Sequence, residues 1–201
     1  MFAYCGNNPV MCSDQGGCRP VWEDNYGEYT NARARNRESR AKRTGCALAY
    51  PGDSYTYDSS YNCAGYALGK EEWITVDNYK PGDSADTTAK NFINTAKAYN
   101  CSARLISNYY SPVGKDEYRI AMRVGPNDYH FMRQNNDGTW SEKCGPLMRL
   151  NHEGYDPDEY DWSAYGYEFR KDYTGAIIGI EITDIYPEYY NSQTVYFAIR
   201  P

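Results

Sequence analysis

The second half of the chain alternates hydrophobic and polar residues in the pattern of β-strands. Within residues 117–125, Tyr118, Ile120, Met122 and Val124 alternate with more polar or smaller residues, which predicts a half-buried strand. Similar patterns predict further strands at residues 129–134, 139–143, 175–183 and 194–199. The isoleucine-rich strand at 175–183 is expected to be central in its sheet, whereas the acidic, tyrosine-rich residues 151–173 are expected to form loops.

Two segments that precede most of these strands have helical features. Residues 61–70 combine small residues with a glycine near their end, and residues 87–100 place Phe92, Ala96 and Tyr99 at helical spacing. The run Asn-Asn-Asp-Gly at 135–138 is a strong hairpin signal between two predicted strands. A helix followed by an antiparallel sheet predicts an α+β fold.

The chain divides into three segments by composition. Residues 1–30 are rich in Gly, Asn, Pro and Asp without any period, and residues 31–45 form a basic linker or helix with no apolar face. Residues 46–201 are expected to form the globular domain. Residues 1–45 hold seven Lys or Arg against five Asp or Glu, a balance of +2. Because the net charge of the whole chain is −6, the remaining residues carry a net charge of −8.

This charge distribution bears on the partners of the protein. An acidic main body disfavours nucleic acid as a substrate, because phosphate contacts need a positive surface. No stretch has the apolar length of a membrane span, so we expect no membrane association. The first residues lack the basic and apolar blocks of a signal peptide, and a protein that acts outside its own cell would need another means of delivery.

The seven cysteines include one candidate nucleophile. Cys63 lies in Tyr-Asn-Cys-Ala-Gly-Tyr at 61–66, at the start of the predicted helix. No Cys-x-x-Cys pair is present, which disfavours zinc-ribbon and thioredoxin-like sites, and we expect neither metal nor cofactor. The remaining six could form three disulfides or stay reduced; they are Cys5, Cys12, Cys18, Cys46, Cys101 and Cys144.

A thiol hydrolase needs at least a cysteine nucleophile and a histidine base, and the chain has a histidine on a predicted strand. His130 lies in Asp-Tyr-His-Phe-Met-Arg at 128–133, and the chain has only one other histidine, His152, in a segment expected to be a loop. A helix N-terminus and a nearby imidazole both favour the thiolate, which is the attacking form of a cysteine. Asn62 is the expected helix cap, and the Cys63 N–H is an expected oxyanion donor.

The residue that orients His130 depends on the hairpin register. If the loop has an odd number of residues, Glu142 lies opposite His130 and faces it; with a two-residue turn at 137–138, Glu142 points to the other face. Gln134 and Asn135 are weaker candidates. A tyrosine hydroxyl is a candidate for the second oxyanion donor, and three tyrosines are near enough in sequence: Tyr55, Tyr57 and Tyr61.

Two resemblances extend this interpretation. The segment Asn-Cys-Ala-Gly-Tyr-Ala at 62–67, with a strand histidine and a polar residue twelve positions later, resembles the NlpC-like branch of papain-like peptidases. The resemblance implies a papain-like fold, with a Cys-bearing helix packed on an antiparallel sheet, and a Cys63–His130–Glu142 triad. It also implies cleavage of peptidoglycan stem peptides. Asn62, Ala64 and Glu142 depart from the usual motif, which leaves the substrate open.

The N-terminal segment resembles the end of the core of RHS repeat proteins. Asn-Asn-Pro-Val at 7–10 matches the motif of that family, whereas Gln15 stands where the family has proline. In RHS proteins this motif is followed by a variable C-terminal domain that is commonly a toxin. The resemblance implies that residues 1–30 are a remnant of the carrier, that the following domain is secreted or delivered to a target cell, and that a cognate immunity protein exists.

The sequence therefore favours an antibacterial cysteine peptidase or amidase that acts on peptides or peptidoglycan. A second hypothesis keeps the same residues but uses them to deamidate or transamidate glutamine in a target protein. An RHS-associated nuclease would explain the basic residues between Arg33 and Arg43. A non-catalytic, disulfide-held binding module predicts that Cys63 is paired or inert.

Overall fold

The fold is described from a computed structural model of the chain. It describes residues 54–55, 57–136, 138–147, 149–152, 156–160 and 162–201. The predicted segments 1–30 and 31–45, and the first residues of the predicted domain 46–201, lie outside the described residues.

The helix that carries the cysteine, α1, spans Cys63–Leu68. The Asn62 side chain caps it by accepting a hydrogen bond from the Gly65 N–H, as expected, and Gly69 ends it with a φ of 68°. A left-handed φ is the conformation that glycine adopts at helix C-termini with least strain. All six helical residues are buried, and the prediction of a helix within 61–70 is confirmed with narrower bounds.

The second helix, α2, spans Ala85–Ala98. Ser84 caps it by accepting from the Thr87 N–H, so it begins two residues before the predicted start. Phe92 and Ala96 lie on its buried face. This agrees with the predicted helical spacing of apolar residues.

A six-stranded antiparallel sheet forms the centre of the fold. Its strands are β2 (Ser102–Ile106), β3 (Tyr118–Val124), β4 (Tyr129–Gln134), β5 (Trp140–Lys143), β6 (Arg149–His152) and β9 (Val195–Arg200). They lie in the order β2-β9-β3-β4-β5-β6. The strands β3, β4, β5 and β9 follow predicted segments closely. β2 and β6 were not predicted, because β2 exposes most of its side chains and β6 is only four residues long.

A smaller antiparallel sheet has the order β1-β8-β7, with β1 at Ser54–Tyr55, β7 at Ala164–Lys171 and β8 at Ile177–Tyr186. The expectation of loops over 151–173 is wrong, because β7 lies within it. β7 is an edge strand along which Tyr165, Tyr167 and Phe169 alternate with a glycine and charged residues. This strand pattern was present in the sequence but lies within an acidic segment. β8 is the middle strand, as predicted, although Ile178 is 59% exposed.

The two faces of the large sheet bury different clusters. On one face, Phe92 of α2 packs against Phe131 and Phe197 of the sheet, and α1 contributes to the same cluster. On the other, Trp140, Trp162 and Tyr196 form an aromatic cluster. The fold is therefore α+β with antiparallel sheets, as expected. Across the described residues, no helix has the length and apolar character needed to cross a bilayer.

Candidate active site

The β4–β5 hairpin determines which side chains face His130. Its ladder pairs Gln134 with Trp140 and Met132 with Glu142, and the Asn135 N–H donates to the Thr139 carbonyl across the loop. The odd-numbered loop is thus the one that forms, but the register differs from the expected one by two residues. Glu142 lies opposite Met132 rather than opposite His130.

The two-residue difference leaves Glu142 on the same face as His130, because side chains alternate between faces with a period of two. The Nε2 atom of His130 lies 2.6 Å from Oε2 of Glu142. His130 is 4% exposed and Glu142 is 3% exposed. The carboxylate therefore holds the imidazole from the diagonal position, shielded from water.

The thiol of Cys63 reaches the same imidazole from α1. Cys63 is the first residue of the helix and is 8% exposed. Its Sγ lies 4.0 Å from the carbonyl oxygen of Tyr129, the residue before His130, and Cys63 is among the neighbours that raise the pKa of His130. The structure thus brings together the three residues that the sequence selected, from one helix and two strands.

A second thiol, that of Cys144, was not predicted at this site. Its Sγ lies 3.9 Å from Nε2 of His130. Continuing the register of the hairpin by two residues places Cys144 directly opposite His130. Cys144 stands two residues after Glu142, so the sequence places both side chains on the same face of the strand. Recognising that this face is the one that carries His130 required the register of the hairpin. Cys63, Cys101 and Cys144 are all thiols rather than halves of disulfides.

The charge state of His130 results from opposing effects. Burial lowers the pKa of His130, but the nearby Cys144 and hydrogen bonds with Cys144, Cys63 and Glu142 outweigh it and hold that pKa well above 6.5. Partners that favour the charged form raise the pKa of a histidine. These partners therefore favour the imidazolium form of His130.

Cys63, His130 and Cys144 line one cavity of about 460 Å³. Its wall combines these thiols and the imidazole with one carboxylate, that of Asp128, and many aromatic side chains. The aromatic lining residues include Trp73, Tyr167, Tyr186, Tyr189 and Tyr190.

Comparison with known proteins gives one match. A family model described as a domain of unknown function, DUF7689, matches residues 54–171, more than half of the 201 residues. The chain belongs to the DUF7689 family. No curated protein and no solved structure matches the chain. The matched segment of the DUF7689 domain includes Cys63, His130, Glu142 and Cys144, so the whole thiol–imidazole–carboxylate cluster lies within it.

Two aromatic rings from distant parts of the DUF7689 chain enclose the imidazole. The ring of Tyr190 stacks on His130 at 5.2 Å, and Trp162 meets it edge-on at 6.1 Å. The Trp162 indole is fixed by its N–H, which donates to the Pro157 carbonyl over 2.6 Å. Sequence reasoning missed both residues, because nothing local in the sequence indicates that they reach β4.

A buried lysine lies beside the two thiols. Lys143 is fully buried, and its Nζ donates to the carbonyl oxygens of Asp58 and Gly145 at 2.8 and 2.7 Å. Burial lowers the pKa of Lys143, and the negative charges of Asp58, Cys144 and Cys63 oppose that shift.

Of the three candidate oxyanion-donor tyrosines, Tyr57 and Tyr61 do not line the cavity. Tyr57 packs edge-on against Phe169, and Tyr61 stacks on Tyr66; the side chain of Tyr55 lies outside the described residues. A helix offers no internal acceptor to its first N–H groups, which leaves the Cys63 N–H as the donor that α1 supplies.

The glycine of the cysteine motif has a packing role. A Cβ at Gly65 would collide with the backbone carbonyl of Glu72. The close approach of the segment after α1, rather than access to the sulfur, requires glycine there. This contact fixes the position of the helix N-terminus and hence of Cys63.

The weaker candidates for the third residue are engaged elsewhere. The Gln134 side chain accepts from Arg119 and donates to the Gly138 carbonyl, and Asn135 bonds with Thr139 and Ser141. The alternative histidine, His152, belongs to β6 rather than to a loop. Its backbone pairs with Trp140.

Among the described residues, donor atoms of His130, Glu142 and Cys144 lie within 4.8 Å of one another. Nitrogen, oxygen and sulfur donors of this kind bind zinc. However, the His130 and Glu142 atoms already contact each other at 2.6 Å. An ion bound between them would have to replace that hydrogen bond.

Proposed function

We propose that this DUF7689 protein is a cysteine peptidase or amidase with Cys63 as nucleophile, His130 as base and acid, and Glu142 as the residue that orients His130. The observation that carries the proposal is the buried imidazole, which contacts the Glu142 carboxylate at 2.6 Å and lines one cavity together with Cys63, the first residue of α1. This is the nucleophile, base and orienting group that thiol hydrolysis requires.

The geometry supports different roles for the two ring nitrogens of His130. Nε2 is held by Glu142, so Nδ1 is the nitrogen that takes the proton of the Cys63 thiol. The thiolate then attacks the substrate carbonyl carbon, and the oxyanion accepts a hydrogen bond from the Cys63 N–H. His130 returns its proton to the leaving amine as the C–N bond breaks, which leaves a thioester.

Water completes the cycle. His130, now neutral, removes a proton from a water molecule that attacks the thioester carbonyl. The C–S bond breaks, the acid product leaves, and the proton on His130 restores the thiolate–imidazolium pair. Tyr190 and Trp162 shield the ring during these steps, and a water-poor site strengthens the interactions among the charged groups.

Cys63 rather than Cys144 is proposed as the nucleophile because of its backbone. Cys63 begins a helix, where N–H groups and the helix dipole stabilise both a thiolate and an oxyanion. Cys144 follows the end of β5 and has no helix of its own. Its thiol lies near the nitrogen that Glu142 occupies.

We further propose the papain-like fold and the peptidoglycan-directed activity that the NlpC resemblance implies. The packing of α1 against β4 and β5, with cysteine first and histidine later on an antiparallel strand, supports this assignment. The toxin role, delivery to a target cell and an immunity partner rest on residues 1–30 alone. Deamidation or transamidation of glutamine remains the second proposal, since the same thioester can form from a glutamine side chain.

The test uses purified peptidoglycan and, separately, a glutamine-rich protein with a primary amine. The full chain is expected to release stem-peptide fragments with new amino and carboxyl termini, detected by mass spectrometry, and Cys63→Ala is expected to release none. Mass changes of the glutamine-rich protein alone would favour the second proposal. Activity of Cys63→Ala equal to that of the wild type would refute both, and chelator-sensitive activity in that variant would favour a metal at His130, Glu142 and Cys144.

A further inference from the structure

The wall of the cavity has an uneven charge distribution. Of the described residues that line it, Asp128 is the one with a carboxylate, and none is a lysine or an arginine. The His130 imidazole also lines the cavity, but any positive charge on it is paired with Glu142 at 2.6 Å. Much of the remaining wall is aromatic, with Trp73, Tyr186 and Tyr189 among the lining residues. Aromatic faces and a carboxylate attract cations, and neither attracts anions.

Asp128 is fixed close to the reacting imidazole. Its Oδ1 accepts the Tyr129 N–H at 2.8 Å, and its Oδ2 accepts the Tyr190 hydroxyl at 3.3 Å. The Tyr190 ring in turn stacks on His130 at 5.2 Å. Asp128 is exposed, so its carboxylate remains accessible to a ligand only one aromatic ring away from the catalytic base.

The field of this carboxylate extends over the aromatic wall. Burial raises the pKa of Tyr167 and of Tyr190, and the Asp128 carboxylate adds to the increase in both. Asp128 therefore acts on side chains from β7 and from the segment before β9, which are distant in sequence but line the same cavity.

We infer that the cavity takes amide substrates with a positively charged group beside the scissile bond, and that Asp128 selects that group. A lysine-like ammonium group would pair with the carboxylate and rest on tyrosine faces. A substrate carboxylate at the same position would be repelled. The inference rests on the proposed function, because it needs the scissile bond at Cys63.

Thiol reagents of different charge test this selection before any substrate is known. The full chain is treated with the cationic aminoethyl, the anionic sulfonatoethyl and the neutral methyl methanethiosulfonates, and the rate at Cys63 is followed by mass spectrometry. Asp128→Asn is expected to lower the ratio of cationic to anionic rates by roughly three- to tenfold at low ionic strength. Asp128→Glu is expected to keep the ratio, and high salt to reduce the difference.

Asp116→Asn is the matched control, because Asp116 is an exposed carboxylate just before β3, whereas Asp128 follows the other end of that strand. An unchanged ratio in Asp128→Asn, with a neutral-reagent rate equal to that of the wild type, overturns the inference. The proposed function is judged separately: it fails if the neutral reagent modifies Cys63 no faster than Cys101 and at the same rate in His130→Gln, whatever the charge ratio.

Discussion

His130 and Glu142 contact each other at 2.6 Å although they are not cross-strand partners. Glu142 pairs with Met132, and the carboxylate reaches the imidazole diagonally along the same face of the β4–β5 hairpin. Diagonal neighbours on one face of a sheet are within reach of long side chains. The contact therefore depends on the face that Glu142 occupies and on the length of its side chain.

Shortening this side chain should damage both stability and reactivity. Glu142→Ala leaves a buried imidazolium without its carboxylate, and breaking a buried ion pair costs about 3–5 kcal/mol. Glu142→Gln retains a hydrogen-bonding group and is expected to be more stable than Glu142→Ala, with slower Cys63 alkylation than the wild type. Urea unfolding and alkylation rates measure the two effects. Exposed Glu71→Gln is the control, and wild-type values for Glu142→Ala would contradict the assigned role.

The two thiols at His130 should differ in their importance. Cys63→Ala is expected to abolish hydrolysis, whereas Cys144→Ala is expected to keep the rate within about tenfold, since only Cys63 has the N–H groups of a helix start. Cys101→Ala controls for loss of a buried thiol elsewhere. If hydrolysis survives in Cys63→Ala and disappears in Cys144→Ala, Cys144 is the nucleophile and the assignment is reversed.

The buried ammonium of Lys143 should support the thiolate. Lys143→Met keeps much of the apolar chain but removes the charge near both sulfurs, so Cys63 alkylation at neutral pH is expected to slow several-fold. Loss of the donors to Asp58 and Gly145 leaves two carbonyls without a partner, at about 1–3 kcal/mol each. Exposed Lys90→Met is the control. An unchanged alkylation rate in a folded Lys143→Met would contradict this role.

His130 should remain protonated above the pH at which an ordinary histidine loses its proton. The chain has two histidines, so NMR of the imidazole signals, assigned with His152→Gln, can follow each one. The His130 signal is expected to titrate above pH 6.5. A signal that titrates at or below that value would mean that burial outweighs the favourable partners.

The same shift has a consequence for stability. Because the pKa of His130 is higher in the folded state than in the unfolded state, its stabilising contribution is complete below about pH 6.5 and is lost as the pH rises through the folded-state pKa. The difference in unfolding free energy between the wild type and His130→Gln is expected to shrink as the pH rises above 6.5. Urea unfolding at several pH values measures it.

Local sequence patterns were enough to find the cysteine helix and the histidine strand. Asn62 is a helix cap by its side-chain chemistry, and β4 has the predicted bounds. Whether the hairpin loop has an odd or an even number of residues decides which face Glu142 occupies, and one of the two predicted loops gave the correct face. The sequence did not fix how many residues an odd-numbered loop would contain, and so it did not fix the exact register. A two-residue error preserved the face and therefore the contact.

The rest of the site depends on tertiary structure. Cys144 joins His130 only through the register of the hairpin, and Trp162 and Tyr190 come from segments whose local sequence has no pattern that points to β4. Lys143 on a strand would ordinarily be solvent-exposed, and its burial depends on carbonyl oxygens of residues 58 and 145. Strand β7 carries the alternation of Tyr165, Tyr167 and Phe169, but it lies in an acidic segment and none of its side chains is buried.

The most direct test of the account is the alkylation rate of each cysteine by iodoacetamide between pH 5 and pH 9, mapped by mass spectrometry in the wild type and in His130→Gln. The Cys63–His130 pair predicts that Cys63 reacts faster than Cys101 at pH 6 and loses that advantage in His130→Gln, while His152→Gln leaves it unchanged. If Cys63 reacts no faster than Cys101 and is indifferent to His130→Gln, the protein has no thiolate–imidazolium pair at this site, and the proposed hydrolase mechanism is wrong.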